Sequence, residues 1–136
     1  MPLITDRDTQ ERLNNKAHVG PAAANKLIYA GALVALDASG NITPGTTATT
    51  LKGAGRAEER VDNSTGSAGD KNVPFKKGVF NFANSTAGDA ITRADIGNDC
   101  YIVDDQTVAK TNGTNTRSVA GKIVDVDARG VWVKFD

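Results

Sequence analysis

Hydrophobic and polar residues alternate most regularly at the end of the chain. Val131, Val133 and Phe135 share one row and alternate with the residues between them. This period-2 pattern is typical of a β-strand with one buried face. Upstream, Val124 and Val126 share a row of their own and predict a second strand. We therefore expect a C-terminal hairpin whose apolar rows form part of the core.

Turn residues divide the chain in a recurring way. Residues 127–130 (DARG) separate the two C-terminal runs, and an Asp followed by a Gly that can take positive φ favours a tight hairpin loop with a bulge. Similar residues occur at 37–40 (DASG), and residues 100–108 have the pattern of a strand, a tight turn and a strand. Because 31–37 can be aligned loosely with 97–104, the sequence indicates two related β units.

Short apolar runs bounded by turn residues predict the remaining strands, at 27–36, 51–61 and 73–82. Residues 62–72 have almost no apolar content and predict a solvated loop. Residues 92–97 begin with a helix-capping pattern and predict a single helical turn. About eight short strands without a long amphipathic helix predict an all-β barrel or sandwich.

Two details of the segment 73–82 carry specific expectations. Pro74 cannot donate a backbone hydrogen bond, so its strand is expected at the edge of a sheet. The Lys76-Lys77 pair is expected at a solvated hairpin tip between two strands, followed by Phe80 and Phe82 on one face of the second strand. We expect both phenylalanines in the core.

The first part of the chain, residues 1–26, is polar and irregular and is expected to form an N-terminal arm, leaving 27–136 as the β domain. Two interpretations of the arm stay open. It is a frayed terminus, or it becomes ordered against a neighbouring molecule, as disordered segments do on binding.

Composition narrows the possible functions. The 136 residues correspond to one domain, and 16 basic residues balance 16 acidic ones, so the chain has no basic field for nucleic acid. A single cysteine excludes an internal disulfide framework, and no apolar run is long enough for a signal peptide or a membrane span. We expect an intracellular soluble protein, or one assembled inside a cell, with no nucleic-acid or membrane partner.

Residue types that carry chemistry are sparse. The single histidine, His18, is expected to be solvated, and Cys100 is expected to pack as a small hydrophobe at the start of a strand. Asp104, Asp105, Asp125 and Asp127 could form an acidic cluster, but Asp at tight turns has a structural role. The glycines at 53–55 and the Gly-Lys pair at 121–122 lack the spacing of nucleotide loops. We expect no catalytic site, cofactor or metal.

Three stretches in order resemble a known family. They are IYAGALVALDASGNITPG at 28–45, the glycine-rich loop and VPFKKGVFNF at 62–82, and ITRADIGNDCYIVDDQTVAKT followed by AGKIVDVDARGVWVKF at 91–135. Together they resemble the small bacteriophage capsid decoration, or cement, proteins related to the domain-of-unknown-function 2190 group. The resemblance covers about residues 27–135, leaves the arm outside, and consists of strand and turn patterns without a catalytic motif.

The resemblance implies a structural virion protein with a small β-tulip-like barrel or sandwich of short antiparallel strands, at most one short helical turn and an extended N-terminal arm. Such a protein is assembled in the host cytoplasm, binds the outer capsid surface as an oligomer, with a trimer favoured over a dimer, and stabilises contacts between major capsid protein subunits. The arm is expected to contact the shell, possible contacts being Leu3, Ile4, Thr5, Asp6, Arg7 and Arg12. Tyr29 and Trp132 are the expected oligomer contacts.

Two other classes of function stay open. A carbohydrate- or host-surface-binding β module of a tail or adhesin would present several exposed aromatic rings, and the chain has only seven aromatic residues (Phe 4, Tyr 2, Trp 1). A small trimeric β enzyme with a site between subunits would need a carboxylate such as Asp104 or Asp125 to act catalytically.

Overall fold

The computed structural model describes residues 1–2, 4–8 and 16–136, and these residues form an all-β protein. Two 3-10 turns, Ala87–Asp89 and Arg93–Asp95, accompany the strands. The strands are β1 (Ala17–Pro21), β2 (Lys26–Ile28), β3 (Leu33–Leu36), β4 (Ile42–Pro44), β5 (Lys52–Ala57), β6 (Val61–Asn63), β7 (Asn72–Lys76), β8 (Gly78–Asn84), β9 (Asp99–Ile102), β10 (Thr107–Ala109), β11 (Val119–Asp127) and β12 (Gly130–Phe135).

The strands form two successive five-stranded units. In the first unit the strand order is β1-β7-β5-β3-β4, and in the second unit β10-β8-β12-β11-β9 close into a barrel. The small β2–β6 pair is an addition to the first unit. Each unit has its own apolar core, although Leu33 and Ala35 of β3 belong to the core of the second. The buried side chains of the first core include Ile28, Val34, Ile42, Val73 and Phe75, and those of the second include Ile102, Val108, Ile123, Val131 and Val133.

The two units have the same topology. In each, a strand, a tight turn and a second strand are followed by a third strand that pairs with the first, as β3-β4-β5 and as β9-β10-β11. The next strand in each unit, β7 or β12, pairs with that third strand and with the strand that opens the unit, β1 or β8. Register agrees as well, because Leu36 faces Ile42 as Ile102 faces Val108. Residues 31–57 thus correspond to 97–123 without insertion or deletion.

A short shared motif marks the correspondence. Ala-Gly followed by a basic residue occurs at 54–56 in β5 and at 120–122 in β11. In both strands the pairing skips the alanine and resumes at the glycine, which places a β-bulge at the same point. Both alanines are buried, Ala54 with 2% and Ala120 with 5% of its surface exposed. Repetition of the bulge and its sequence shows a structural repeat within the chain, an internal duplication of the fold, which agrees with the two related β units expected from sequence.

The two glycines of this motif allow the same close backbone contact. A Cβ atom added to Gly55 would lie 2.1 Å from the carbonyl oxygen of Lys76, and one added to Gly121 would lie 2.3 Å from that of Lys134. Lys76 in β7 and Lys134 in β12 occupy corresponding positions. Glycine is therefore needed at both positions because the neighbouring strand comes too near for any side chain.

The units differ in how completely they close. In the first, β1 reaches β4 through one isolated parallel bridge, Ala22 to Ile42. In the second, β8 and β10 form a short parallel ladder through Thr107–Ala83 and Val108–Asn84. The second unit is therefore a closed barrel, whereas the first is a strongly curved sheet whose two edges touch.

The C-terminal hairpin is confirmed, with one correction. β11 and β12 pair across the predicted turn, and Val131, Val133 and Phe135 are buried. A second bulge lies between Ile123 and Asp125. It turns Val124 outward, 42% exposed, and leaves Ile123 in the core. The expected shared inward row of Val124 and Val126 was therefore wrong, because an extra residue reverses the alternation.

The predicted strand at 27–36 was also wrong as a single element. It forms β2 and β3 in different sheets, separated by a turn in which Gly31 has φ 83°. A positive φ at a glycine breaks the extended chain, so the apolar run can contribute to two layers. The predicted strand at 51–61 is confirmed in its first part as β5.

Two expectations for the segment around Pro74 were wrong. β7 lies between β1 and β5, not at an edge, and Pro74 is tolerated because it lies just beyond Ala57–Phe75, the last pair of β7 with β5. Lys76 and Lys77 do not form a hairpin tip. The chain passes from one sheet to the other at Lys77, so β7 and β8 belong to different units.

Three other predicted segments, at 1–26, 62–72 and 92–97, differ in how they agree with the structure. The predicted arm at 1–26 includes β1, which pairs with β7 over its full length, so the arm leads into the sheet at Ala17. The predicted loop at 62–72 includes buried Asn63, whose Nδ2 donates to the carbonyl oxygens of Ala23 and Ser67 at 2.9 and 3.0 Å. The predicted helical turn is present, with an Asp95 carboxylate oxygen accepting from the Thr92 N–H at 2.8 Å.

Candidate interaction surfaces

The residues most associated with nucleophilic or acid–base chemistry occupy structural positions. Cys100 is fully buried, and its burial raises the pKa of the thiol to about 12. His18 was expected to be solvated, but its ring is partly buried and stacks on Phe75 with centroids 5.4 Å apart, which corrects that expectation. Since a thiol with so high a pKa stays protonated at neutral pH, Cys100 behaves as a small hydrophobe, as expected.

The aspartates considered as a possible cluster have separate roles in the structure. Asp104 accepts from the backbone N–H groups of Gln106 and Thr107 in one turn, and Asp127 accepts from that of Arg129 in another. Asp125 accepts from Arg93 at 2.7 Å. Within the described ranges, no group of three or more His, Cys, Asp or Glu side chains is arranged to hold a metal ion.

A network of hydrogen-bonded polar side chains holds the loop that precedes β11. Asp89 accepts from the Thr111 hydroxyl at 2.7 Å and from Arg117 at 2.6 Å. These hydrogen bonds lower the pKa of the Asp89 carboxyl. The loop itself is tightly wound, with Gly113, Thr114 and Asn115 all at positive φ. Its contacts within the chain are sufficient to explain this geometry.

Strand β8 presents one side of its backbone without a strand partner. The N–H of Ala83 donates to the carbonyl oxygen of Gln106 at 2.7 Å, on the side away from β12. Because backbone groups alternate along a strand, those of Val79 and Asn81 point to this same side. The ladder with β10 begins only at Ala83, so within the described part of the chain no hydrogen bond reaches these groups.

Strand β1 presents the corresponding edge in the first unit. The carbonyl oxygen of Lys16 accepts from the Lys77 N–H, and the Ala22 N–H donates to Lys71, so the even-numbered residues of β1 face β7. By alternation, the backbone groups of Ala17 and Val19 point the other way. For the residues that the structure describes, these groups also have no hydrogen bond. The two units therefore present equivalent strand edges.

Similar side chains flank the two edges. Val19 is 68% exposed in β1 and Val79 is 44% exposed in β8. Lys76 lies opposite Ala17 in the neighbouring strand, as Lys134 lies opposite Val79. Each edge therefore combines an exposed valine with a lysine on the adjacent strand.

Trp132 lies beside the β8 edge. It pairs with Asn81, is half-buried, and donates from Nε1 to an Asp127 carboxylate oxygen at 2.8 Å. This hydrogen bond is the main reason that the pKa of Asp127 is lowered. Near the ring, Arg56 stacks on Phe80 with its guanidinium carbon 4.3 Å from the centroid, and together they line a shallow groove. Trp132 therefore lies on the sheet face next to this edge.

Phe80 and Phe82 share the inward face of β8, as expected. Phe82 is buried, and Phe80 is half-buried and tilted against Phe135. Tyr29 is 55% exposed and lies in the turn between β2 and β3, with Arg60 over its ring at 5.7 Å. Gly31 of this turn lines both the groove beside Trp132 and the hollow beside Tyr29. The two expected oligomer contacts therefore lie on neighbouring parts of one surface.

The expected shell contacts lie in the arm. Ile4, Thr5, Asp6 and Arg7 are exposed, Ile4 at 88%. Leu3 and Arg12 lie outside the described residues. Single exposed hydrophobic residues are common on protein surfaces, so the shell contacts stay a prediction.

Sequence reasoning missed the two strand edges. The available signal was the repeated Ala-Gly-basic motif at 54–56 and 120–122, which would have aligned the two units and indicated which strands lack partners. The edges depend on which strands pair through their backbones, and the type of an individual residue rarely indicates that pairing.

No protein-family model, curated protein or solved structure matches the chain. None of the described helices is long and apolar enough to cross a membrane.

Proposed function

We propose that this chain is a structural protein of a bacteriophage virion. It binds the outer surface of the capsid shell and stabilises contacts between adjacent major capsid protein subunits. The protein acts as a homo-oligomer, with a trimer favoured, and its role is mechanical.

The observation that carries this proposal is the pair of strand edges whose outward backbone N–H and C=O groups have no hydrogen bond among the described residues. Val79 and Asn81 in one unit, and Ala17 and Val19 in the other, direct backbone donors and acceptors outward. Surfaces of this kind recognise extended segments of other proteins. The resemblance of 28–45, 62–82 and 91–135 to capsid decoration proteins supplies the identity of the partner.

The mechanism is repetition of modest contacts. Each contact with the shell needs to bury only about 1,200–2,000 Å² or less. An oligomer that engages several shell subunits gains apparent affinity because the second contact is intramolecular. Subunits held in this way must separate together, so the shell resists internal pressure.

The oligomer would form through the surface that carries Tyr29 and Trp132. Tyrosine and tryptophan supply large contact areas at low entropic cost and are enriched among residues that dominate binding energy. Light scattering on the native protein is expected to give the mass of a trimer. Tyr29→Ala should reduce that mass, whereas Phe82→Leu, a substitution in the core, should leave it unchanged.

The decisive experiment uses expanded heads that lack decoration. Added protein should saturate them and raise their disruption temperature. That temperature is measured by calorimetry and by the rise in fluorescence of a DNA-binding dye when the heads open. Unexpanded heads, which present a different surface, are the control. If the protein neither binds expanded heads nor changes their stability at saturation, the proposal is wrong; binding to a glycan array instead would indicate a host-surface module.

A further inference from the structure

We propose that each copy of this protein binds two extended, acidic segments of the shell, one along the β1 edge and one along the β8 edge. This inference rests on the proposed function and deepens it, because it assigns the contact surface and its valency. One copy then joins two shell subunits by itself, before any oligomer forms.

The backbone of each edge specifies an extended occupant. Successive outward-facing residues, Ala17 and Val19 in β1 and Val79 and Asn81 in β8, present N–H and C=O groups with the alternating spacing of a strand. A segment that continues the sheet satisfies these groups, as in other cases of β-strand addition. A helix or a rounded surface cannot reach them all. The exposed side chains of Val19 and Val79 add an apolar contact on one face.

Charge favours an acidic segment. Lys76 lies beside the β1 edge and Lys134 beside the β8 edge, and Lys16 and Lys77 lie at the junction between the two. Asp136 contacts Lys77 and Lys134 at 2.7 and 3.7 Å and offsets part of this charge. At the β1 edge Glu58 lines the hollow beside Ala17 and Val19, but it is paired with Arg56 at 2.8 Å, so the charge of Lys76 is not offset by it. Each lysine lies one strand in from its edge, so it is about 10 Å from an added strand and attracts an aspartate or glutamate there through space without forming a directly opposed cross-strand pair.

The internal duplication gives the valency. The two edges belong to corresponding strands, and the residues opposite them correspond as well, from Ala17–Lys76 to Val79–Lys134. Two equivalent edges on one chain suit two copies of one partner segment. A repeating shell presents such copies on adjacent subunits, so the symmetry of the site matches that of the surface.

The chain's own arm is the rival occupant of the β8 edge. The arm enters the domain at Lys16, whose carbonyl oxygen lies 2.7 Å from the backbone nitrogen of Lys77, next to the start of β8. Hydrogen exchange of the free protein, followed by NMR, separates the two cases. Open edges predict fast exchange at Val19, Val79 and Asn81, and protection of all three only in the presence of heads. Protection of Val79 and Asn81 in the free protein would overturn the inference.

Proline substitutions test each edge in the full-length protein. Val19→Pro and Val79→Pro remove an outward N–H and obstruct an added strand, and proline is tolerated where a strand's N–H faces away from its sheet. Val19→Thr and Val79→Thr keep the N–H and serve as matched controls. Circular dichroism and thermal unfolding verify the fold of each variant before binding to expanded heads is measured.

Each single proline variant should still bind heads, with apparent affinity reduced about 100-fold through the loss of bivalency. At saturation each should raise the disruption temperature by less than the wild type does, because every copy in the oligomer then holds one shell segment instead of two. The double proline variant should bind more weakly than either single variant, because both edges are lost and only the arm contacts remain, and the threonine variants should match the wild type. If the single proline variants stabilised heads as fully as the wild type does, this inference would be wrong and the proposed function would stand. If the wild type failed to bind heads, the proposed function itself would be refuted.

Discussion

Replacing Gly121 by alanine would place a methyl group 2.3 Å from the carbonyl oxygen of Lys134 and 3.0 Å from the Val133 side chain. Ordinary contacts of a Cβ atom begin at 3.4 Å. β11 and β12 must therefore move apart locally by about 1 Å, which stretches adjacent ladder bonds well beyond their usual length of about 2.9 Å. Two weakened bonds at about 1 kcal/mol each, together with poorer packing, give a cost of about 2–3 kcal/mol.

The assay is equilibrium unfolding in urea followed by tryptophan fluorescence. With a slope of about 1.5–2 kcal/mol per M for a chain of this size, Gly121→Ala should lower the midpoint by roughly 1–2 M. Gly55→Ala should cost at least as much, because it meets the Lys76 carbonyl oxygen at 2.1 Å and Gly55 also has φ 148°. Gly88 has nothing within 4 Å of an added Cβ and no positive φ. Gly88→Ala is therefore the matched control and should stay within about 0.5 kcal/mol of the wild type.

The comparison between the two motif glycines is the informative part. If the units are duplicates with the same close contact, both substitutions should destabilise the protein and Gly88→Ala should not. Gly97 has φ 95° and open space around it, so Gly97→Ala measures the backbone strain alone, at about 1 kcal/mol. If Gly121→Ala were no more destabilising than Gly88→Ala, the close approach of β11 and β12 would be refuted as the reason for glycine.

Three further outcomes are expected. The Cys100 thiol, with a pKa raised to about 12 by burial, should resist iodoacetamide at pH 8 in the native protein and react after unfolding. Hydrogen bonds to Asp127 lower its pKa below the ordinary 3.8, so acid titration should change Trp132 fluorescence only below that pH; a change centred above it would contradict the bond. Arg117→Met should lower the free energy of unfolding by about 1–2 kcal/mol, because it breaks the hydrogen bond to Asp89. Since the pKa of Asp89 is lowered in the folded protein, ionised Asp89 stabilises the fold above its ordinary pKa, and this stabilisation is lost as the pH falls through the lowered value. The stabilities of wild type and variant should therefore converge in acid.

The sequence predicted local β structure well where one residue type dominates the geometry. The turns at 37–40 and 127–130 were predictable because Asp and Gly have specific roles in them, and both are present in the structure. The alternation of Val131, Val133 and Phe135 correctly identified a buried face. These features depend on neighbouring residues, which a single sequence displays directly.

Features that depend on distant pairing were less accessible. The bulge that turns Val124 outward depends on the register of β11 against β12, which the sequence of either strand alone does not define. The same limit explains Pro74, which is acceptable inside the sheet because β5 ends beside it. Duplication was largely obscured because corresponding positions differ in character, as in Leu33 and Asp99. The unpaired edges at Val19 and Val79 followed only from the complete pairing scheme.

The single crossing of the chain between units, at Lys77, has a consequence for synthesis. All strands of the first unit, β1 to β7, precede all strands of the second. A ribosome therefore synthesises the complete first unit before β8, and that unit can begin to fold as it leaves the ribosome while the rest is still being made. Its final packing waits for the second half, because Leu33 and Ala35 belong to the core that β8 to β12 complete. Folding in two vectorial stages limits the time during which long-range strands lack partners, which protects a chain of mostly non-local contacts from misassembly.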